Sequence, residues 1–288
     1  MKSIKSSVRY ALQLFGKLLA KLSDANSALE VIAEAYIMEL AAKKIKVKHN
    51  NLELALSGVN AINKMRAKTF SIKEPETLEW IDSFDQGSEF WDVGANVGLY
   101  SCYAAKRKLC NVYAIEPSVF NLEFLARNIF ANELQERVTI VPIAMSDFTG
   151  ANTLNMTTTE WGGALSSFGE DFGWDGNKLD TVFQFRTLGL PLDTALDLGL
   201  IAKPDYIKID VDGIEHLILR GGTKALSSAR SVLIEINDKF ISQAEECRAI
   251  LENAGLILDR KEHGEMFSAA DSFGGGHIWN QIWVRNDS

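Results

Sequence analysis

The chain has 288 residues, 47% hydrophobic and 24% charged, enough apolar material for one large domain, and it contains no uncharged apolar window long enough for a transmembrane helix. Its net charge of −8 is uneven: residues 1–73 carry 13 Lys/Arg against 5 Asp/Glu, while the remainder is strongly acidic, which argues against a nucleic-acid phosphate track on the main body. Three cysteines (Cys102, Cys110, Cys247) have neither CxxC nor metal-type spacing and read as reduced thiols of a cytoplasmic protein.

The first 48 residues read as helical. In VRYALQLFGKLLAKL the apolar positions Val8, Leu12, Phe15, Leu19 and Leu22 recur at helical steps. Lys17 and Lys21 interrupt that run and no small-residue cleavage site follows, so it does not read as a signal peptide. Its basic residues are spread around the helix; packing on the domain or a homo-oligomer contact is favoured over peripheral docking of residues 1–22 on anionic lipid. SALEVIAEAYIMELAAKK is a second helix with Lys43 and Lys44 in its last turn, as the helix dipole favours. In NLELALSGVNAINKMRAKTF a partial alternation broken at Ser57-Gly58 predicts a hairpin. Residues 1–72 are therefore expected to form a helical extension with a short hairpin, and residues 73–288 the main domain.

From Pro75 onward strands and helices alternate. Strands are expected near 89–93, 111–115, 137–142, 205–211 and 231–236, with helices near 98–107, 118–131, 214–227 and 242–254. Short apolar, β-branched runs (VYAI, VTIV, YIKIDV, SVLIEI) suit a parallel sheet buried on both faces. The fold class is α/β: a doubly wound, Rossmann-like, mostly parallel sheet of seven strands, closed by LILDR and HIWNQIWV as an antiparallel edge. Between Gly150 and Asp193 a strand pair flanks a glycine- and aromatic-rich loop near 157–180. Its Trp161, Phe168, Phe172 and Trp174 either face a sugar or anchor the loop on the core. His277 in SFGGGHIW is a candidate for a second pocket wall.

The loop after the first main strand, FWDVGANVGLY, sits where open α/β sheets bind ligands. Asp92, Gly94, Asn96 and Gly98 form a tight turn that lets a ligand approach the backbone. A dinucleotide fingerprint needs glycine at its first, third and sixth positions, and counting from Gly94 the last two are Asn96 and Leu99, so a pyrophosphate fits poorly. Glu116, 24 residues after Asp92, ends the second strand as a ribose acid would, and Ser146 and Asp147 follow the third strand, near a base edge. A nucleoside with a small non-phosphate tail meets this description, and S-adenosylmethionine is such a molecule.

FWDVGANVGLYS, VYAIEPSVFNLEFLARNI, IAMSDFTG and above all YIKIDVDGIEHLILRGG resemble the FkbM family of S-adenosylmethionine-dependent methyltransferases, from about Lys73 to Val284. KEPETLEWID, ahead of the first strand, resembles it too. The block 206–222 is the specific part, and Asp212 departs from it where the family commonly has Glu. The resemblance implies that Asp92, Gly94, Asn96 and Gly98 surround the methionine part of the cofactor, Glu116 holds the ribose, and Ser146 and Asp147 lie near the adenine. It also implies O-methylation of a hydroxyl on a sugar or glycan-related acceptor.

Methyl transfer from a sulfonium needs alignment of the acceptor and removal of its proton. IKIDVDGIEH offers Lys208, Asp210, Asp212, Glu215 and His216. Lys208 and Asp210 share a face of the strand. Asp210 is the first choice for alignment or base, with Lys208 orienting it. Asp212 and Glu215 also suit helix capping, and His216 is a base by chemistry but more often a solvated first-turn residue. No metal is assigned, although Asp210, Glu235, Asn237 and Asp238 together would make an oxygen-ligand Mg²⁺ set. The alternatives are N-methylation of an amino-sugar or small amide, and a nucleoside-binding module without catalysis.

Overall fold

The computed structural model describes residues 43–263 and 276–285, with isolated helical positions at 14, 17, 31, 32, 35 and 36. The two N-terminal helices otherwise lie outside the described residues, as do a membrane or oligomer contact through residues 1–22 and most of SFGGG. No described helix is long and apolar enough to cross a membrane.

The helix expected through residue 48 gives way to a strand at Lys44. In KIKVKH the lysines at 44, 46 and 48 are exposed while Ile45 and Val47 turn inward, a period of two that the lysine count obscures. This strand, β1 (Lys44–His49), pairs antiparallel with β2 (Leu52–Ser57). The hairpin turn lies at Asn50-Asn51, both at positive φ, rather than at Ser57-Gly58. Asn tolerates that conformation, and Ser57-Gly58 instead leads into the helix Ala61–Lys73, where the Asn60 side chain accepts from the Asn63 N–H at 2.9 Å.

Seven strands form the main sheet in the order β12-β13-β11-β10-β3-β4-β5. β3 (Glu89–Val93), β4 (Asn111–Ile115), β5 (Val138–Val141), β10 (Tyr206–Ile209) and β11 (Ser231–Asn237) run parallel. β12 (Leu256–Glu262) and β13 (Ile278–Arg285) complete the mixed sheet antiparallel. Alternate residues feed two cores. Trp91, Val93, Ile207, Ile209, Val232 and Ile234 face one side, and Phe90, Val112, Ala114, Tyr206 and Leu233 face the other. Both faces are covered, which is why these strands carry no polar period.

Two elements differ from the alternation. The insertion is a second sheet of four strands, β6 (Ala144–Met145), β7 (Gly150–Met156), β8 (Ser166–Phe168) and β9 (Phe183–Leu190), in the order β6-β9-β7-β8. The single helix expected over 214–227 is two, Glu215–Arg220 and Thr223–Ser228, broken at Gly221-Gly222. A Cβ on Gly221 would stand 2.5 Å from the Ser146 carbonyl oxygen, so this corner is packed too closely for a side chain.

The hairpin is tied to the body by buried asparagines of the Val119–Ala131 helix and its end. Asn132 accepts from the Ala55 N–H at 2.9 Å and donates to the Ala55 carbonyl at 2.8 Å, and Asn128 accepts from the Ser57 N–H at 2.7 Å. Leu54 and Leu56 enter the same core as Phe70 and Leu78. Replacing Asn132→Ala leaves both Ala55 groups without these partners, so urea unfolding is expected to show a loss of about 1–3 kcal/mol with an unchanged m-value.

Candidate active site

The chain runs β3 to β4 to β5 in one direction and then returns to place β10 on the other side of β3. The crevice beyond the carboxyl ends of β3 and β10 is therefore the point where strand order reverses. Asp92 pairs in register with Lys208, and Val93 with Ile209. Gly94 follows at φ +84°, and a Cβ there would stand 1.9 Å from the Asp210 carbonyl oxygen. Only glycine lets the two strand ends approach this closely.

A cleft of about 530 Å³ opens over this junction. Gly94, Asn96, Glu116, Asn121, Asp210 and Asp212 give it polar lining, while Ile143, Met145, Leu154, Phe168 and Ile218 form an apolar slot. The apolar slot and the few convergent polar groups suit a nucleoside with a short tail. S-adenosylmethionine fits on these grounds: a flat base for the slot, hydroxyls for Glu116, and a sulfonium among carboxylates.

Under the cleft lies a buried cluster of charges. The Lys208 side chain is 1% exposed, and its Nζ donates to Asp210 Oδ2 at 2.6 Å. The ammonium also stands 5.2 Å from the centroid of the Tyr100 ring. Burial works against its charge, but Asp210, Glu74 and Asp92 more than offset this and hold its pKa above the ordinary lysine value. Asp92 is buried, accepts from Ser101 Oγ at 2.5 Å and keeps its other oxygen without a partner. Burial pushes its pKa up. Glu74, between two helices, is drawn down to about 2 against its burial by Lys73 (2.5 Å) and Lys208, with the Tyr100 hydroxyl also donating to it. Glu235, at the end of β11, is raised well above the ordinary carboxyl value by burial and by Asp210, Glu74 and Asp212.

Glu116 is buried and accepts from the Asn96 N–H and the Ser118 N–H, each at 2.8 Å. Burial is the larger effect and pushes its pKa up to about 7. Asp212 sits at φ +64° and accepts from the Leu165 N–H at 2.7 Å. Asp is tolerated at positive φ better than the longer Glu, which accounts for the shorter acid here. Burial, then Asp210, raises Asp212 to about 6.

Gly94, Asn96, Glu116, Asp210 and Asp212 are thus brought together, and the other expected residues lie outside the cleft lining. Asp92 and Lys208 lie beneath it and support Asp210. Gly98 starts the Leu99–Arg107 helix, where a Cβ would stand 2.3 Å from Leu125 Cδ1, so its place is packing. The backbone N–H of Ser146 is taken by the Leu190 carbonyl, and Asp147 lies 3.6 Å from Arg220, so Ile143, Ala144 and Met145 meet the cleft instead. His216 turns toward Phe240. Glu215 turns back onto the loop before its own helix rather than capping it: it accepts from the Val211 and Gly213 N–H groups and from Gln243. The oxygen-ligand set is not assembled, because Asn237 donates to the Trp174 carbonyl and Asp238 pairs with Lys261 at 2.5 Å.

Of the aromatics, Phe168 lines the cleft, Trp161 packs on Phe124, Phe172 on Phe240, and Trp174 borders a smaller pocket with Glu235. The His277 carbonyl accepts from the Asp238 N–H. Lys73, Glu74, Tyr100 and Asn121 were not singled out by sequence reasoning. Glu74 is within KEPET, the one signal that pointed there; Tyr100 and Asn121 have no local signature.

The profile described as Methyltransferase FkbM domain matches residues 92–258. The hexuronic acid methyltransferase AglP of Haloferax volcanii is 25% identical over 196 residues, covering 64% of this chain and 74% of that protein. Among solved structures, the methyltransferase FkbM of Methylobacillus flagellatus KT superposes with a TM-score of 0.46 at 16% identity, over 75% of this chain and 49% of that one. M. jannaschii TYW2 in complex with AdoMet gives 0.43 at 13%, over 84% and 87%.

Removing the central ammonium isolates buried carboxylates. Lys208→Met is expected to lose about 3–5 kcal/mol in urea unfolding. A loss near zero would show that the acids do not depend on it.

Proposed function

The chain belongs to the FkbM family of methyltransferases, and from that premise we propose that it transfers a methyl group from S-adenosylmethionine to a hydroxyl oxygen of a sugar or glycan-related acceptor. The reading rests on Asp210. Its carboxylate faces the cleft at the strand switch point and is fixed from behind by buried Lys208 at 2.6 Å. The name of the Haloferax volcanii relative, a hexuronic acid methyltransferase, supports a sugar acceptor. Residues 73–288 are read as the methyltransferase domain, doubly wound with an antiparallel edge, and the residues before them as an extension docked on it.

S-adenosylmethionine supplies an activated methyl whose leaving group is a neutral thioether. In this reading Glu116 takes the ribose hydroxyls, the Ile143–Met145 and Phe168 slot takes the base, and the turn at Gly94 and Asn96 receives the amino-acid tail. Asp210 accepts the hydrogen bond of the incoming hydroxyl, holds its oxygen in line and takes its proton as the new bond forms. Lys208 holds that carboxylate in one orientation.

Asp210→Asn is expected to bind donor normally and to lose about 10²–10⁴-fold in kcat, read from donor turnover at saturation. The acceptor is tested with methyl-labelled donor and a panel of neutral hexoses, hexuronates and amino sugars, locating the new methyl by NMR. An O-methyl sugar is expected; methyl on an amine, or turnover on none of the sugars, would sink the reading.

Glu116 sets a pH dependence. Its folded value of about 7 lies above the ordinary carboxyl value, so its neutral form stabilises the donor-free protein at low pH, and that contribution is lost as pH rises through 7. The ionised form is the better acceptor for two hydroxyls. Donor affinity by calorimetry is therefore expected to rise between pH 6 and 8, and Glu116→Gln to flatten that rise.

A further inference from the structure

Residues 161–166 run along the donor cleft, and five of the polar backbone groups they offer are taken by side chains from other elements. On the outer side, the Trp161 carbonyl accepts from Asn60 Nδ2 at 2.8 Å and Asn63 Nδ2 at 3.0 Å. The Gly162 carbonyl accepts two bonds from the Arg66 guanidinium, Nε at 3.0 Å and Nη2 at 2.8 Å. On the cleft side, the Gly163 carbonyl accepts from Asn96 Nδ2 at 2.7 Å and Asn121 Nδ2 at 3.2 Å. The Gly162 N–H donates to Asn121 Oδ1 at 3.0 Å, and the Leu165 N–H to Asp212 Oδ2. Gly163, Ala164 and Ser166 form part of the cleft wall.

The same asparagines serve the ribose acid. The Asn96 backbone N–H donates to Glu116, and Asn121 Nδ2 lies 3.4 Å from it. The segment is thus hydrogen-bonded on one side to groups that contact Glu116 and on the other to the helix Ala61–Lys73. Trp161 packs on Phe124, but the stretch that follows it, Gly162-Gly163-Ala164, has little apolar surface of its own, so its position depends on these bonds. Arg66 makes the only charge-assisted pair among the outer ones, and its two-pronged grip fixes direction as well as distance. The guanidinium also favours the ionised Asp212 that receives Leu165, against the larger opposing effects of burial and Asp210, and it works weakly against the charge of Lys73.

We propose that Arg66 is a positioning residue for the methyl donor: it holds residues 161–166 as a strap along the donor cleft, so that a helix lying before the family match sets how tightly the donor is retained. The proposal rests on the cleft being the donor site. It gives the extension a function in the reaction without placing any of its atoms on the donor.

The test uses the full chain and compares wild type, Arg66→Ala, Arg66→Lys and Glu116→Ala. Calorimetry with S-adenosylmethionine and with its demethylated product measures affinity, and hydrogen exchange follows the peptide spanning 160–166 with and without donor. Arg66→Ala is expected to bind donor about tenfold more weakly, with kcat at saturating donor unchanged. Donor should protect the strap amides in wild type and fail to do so in this variant. Arg66→Lys should restore part of the affinity, since an ammonium can still donate one bond to Gly162. Gly162→Ala provides a second route with Arg66 intact: its Cβ would stand 2.7 Å from Asn63 Oδ1 at φ +81°, displacing the strap, and donor affinity should fall similarly. Unchanged affinity in Arg66→Ala and Gly162→Ala, with or without a lower Tm, overturns the proposal while Glu116→Ala still loses donor. If Glu116→Ala also keeps full affinity, the donor-site reading itself fails.

Discussion

A lysine ammonium buried in the middle of a parallel sheet governs how this molecule is arranged. Lys208 stands where a core strand would ordinarily carry Val or Ile, and its charge would be expelled were it not met by carboxylates from several directions. Asp210 comes from its own strand, Asp92 from the neighbouring strand in register, and Glu74 from the junction of two helices ahead of the sheet. The Tyr100 ring covers another side. Each of these groups is placed by an element that must pack correctly for the charge to be satisfied. The ammonium therefore specifies the mutual position of β3, β10 and the helices flanking residues 74 and 100. The result is a polar device inside an otherwise apolar core, costly if incomplete.

The same constraint shapes the chemistry. One cation supports several acids, and the acids divide by environment. Lys73 and Lys208 draw the pKa of Glu74 down against its burial, whereas burial, reinforced by Asp210, Glu74 and Asp212, pushes that of Glu235 up. Asp210 alone combines direct contact with Lys208 and exposure to the cleft. The carboxylate proposed as the proton acceptor therefore stands beside the strand ends where Gly94 lets backbone approach backbone. Glu116 and the apolar slot lie further along the same cleft, held by elements on the other side of the switch point.

How much of this could be read from the chain follows physical lines. The strand alternation after Pro75 was legible because buried parallel strands are short apolar runs, and the glycine turn and Asp210 follow from strand ends. Residues whose place depends on tertiary partners were not. Asp92 looks like a cleft residue by spacing, yet it lies buried beneath the lining, whereas Lys208 pairs with Asp210 as their shared strand face suggests. Ser146 was drawn away by pairing with β9 and Asp147 by Arg220, contacts made by segments distant in sequence. β1 was hidden because its exposed lysines resemble the end of a helix. Asn121 and Arg66 carry no local signature at all, since their importance comes from a loop folded onto them from 41 and 96 residues away.

The central claim, that Lys208 serves the reaction by orienting Asp210, is tested most directly by a double-mutant cycle in kcat/KM with Lys208→Met, Asp210→Asn and the double variant, measured where all remain folded. If Lys208 acts through Asp210, the double variant will turn over as slowly as Asp210→Asn alone and no slower. Losses that simply multiply would contradict the account and give the two residues separate tasks.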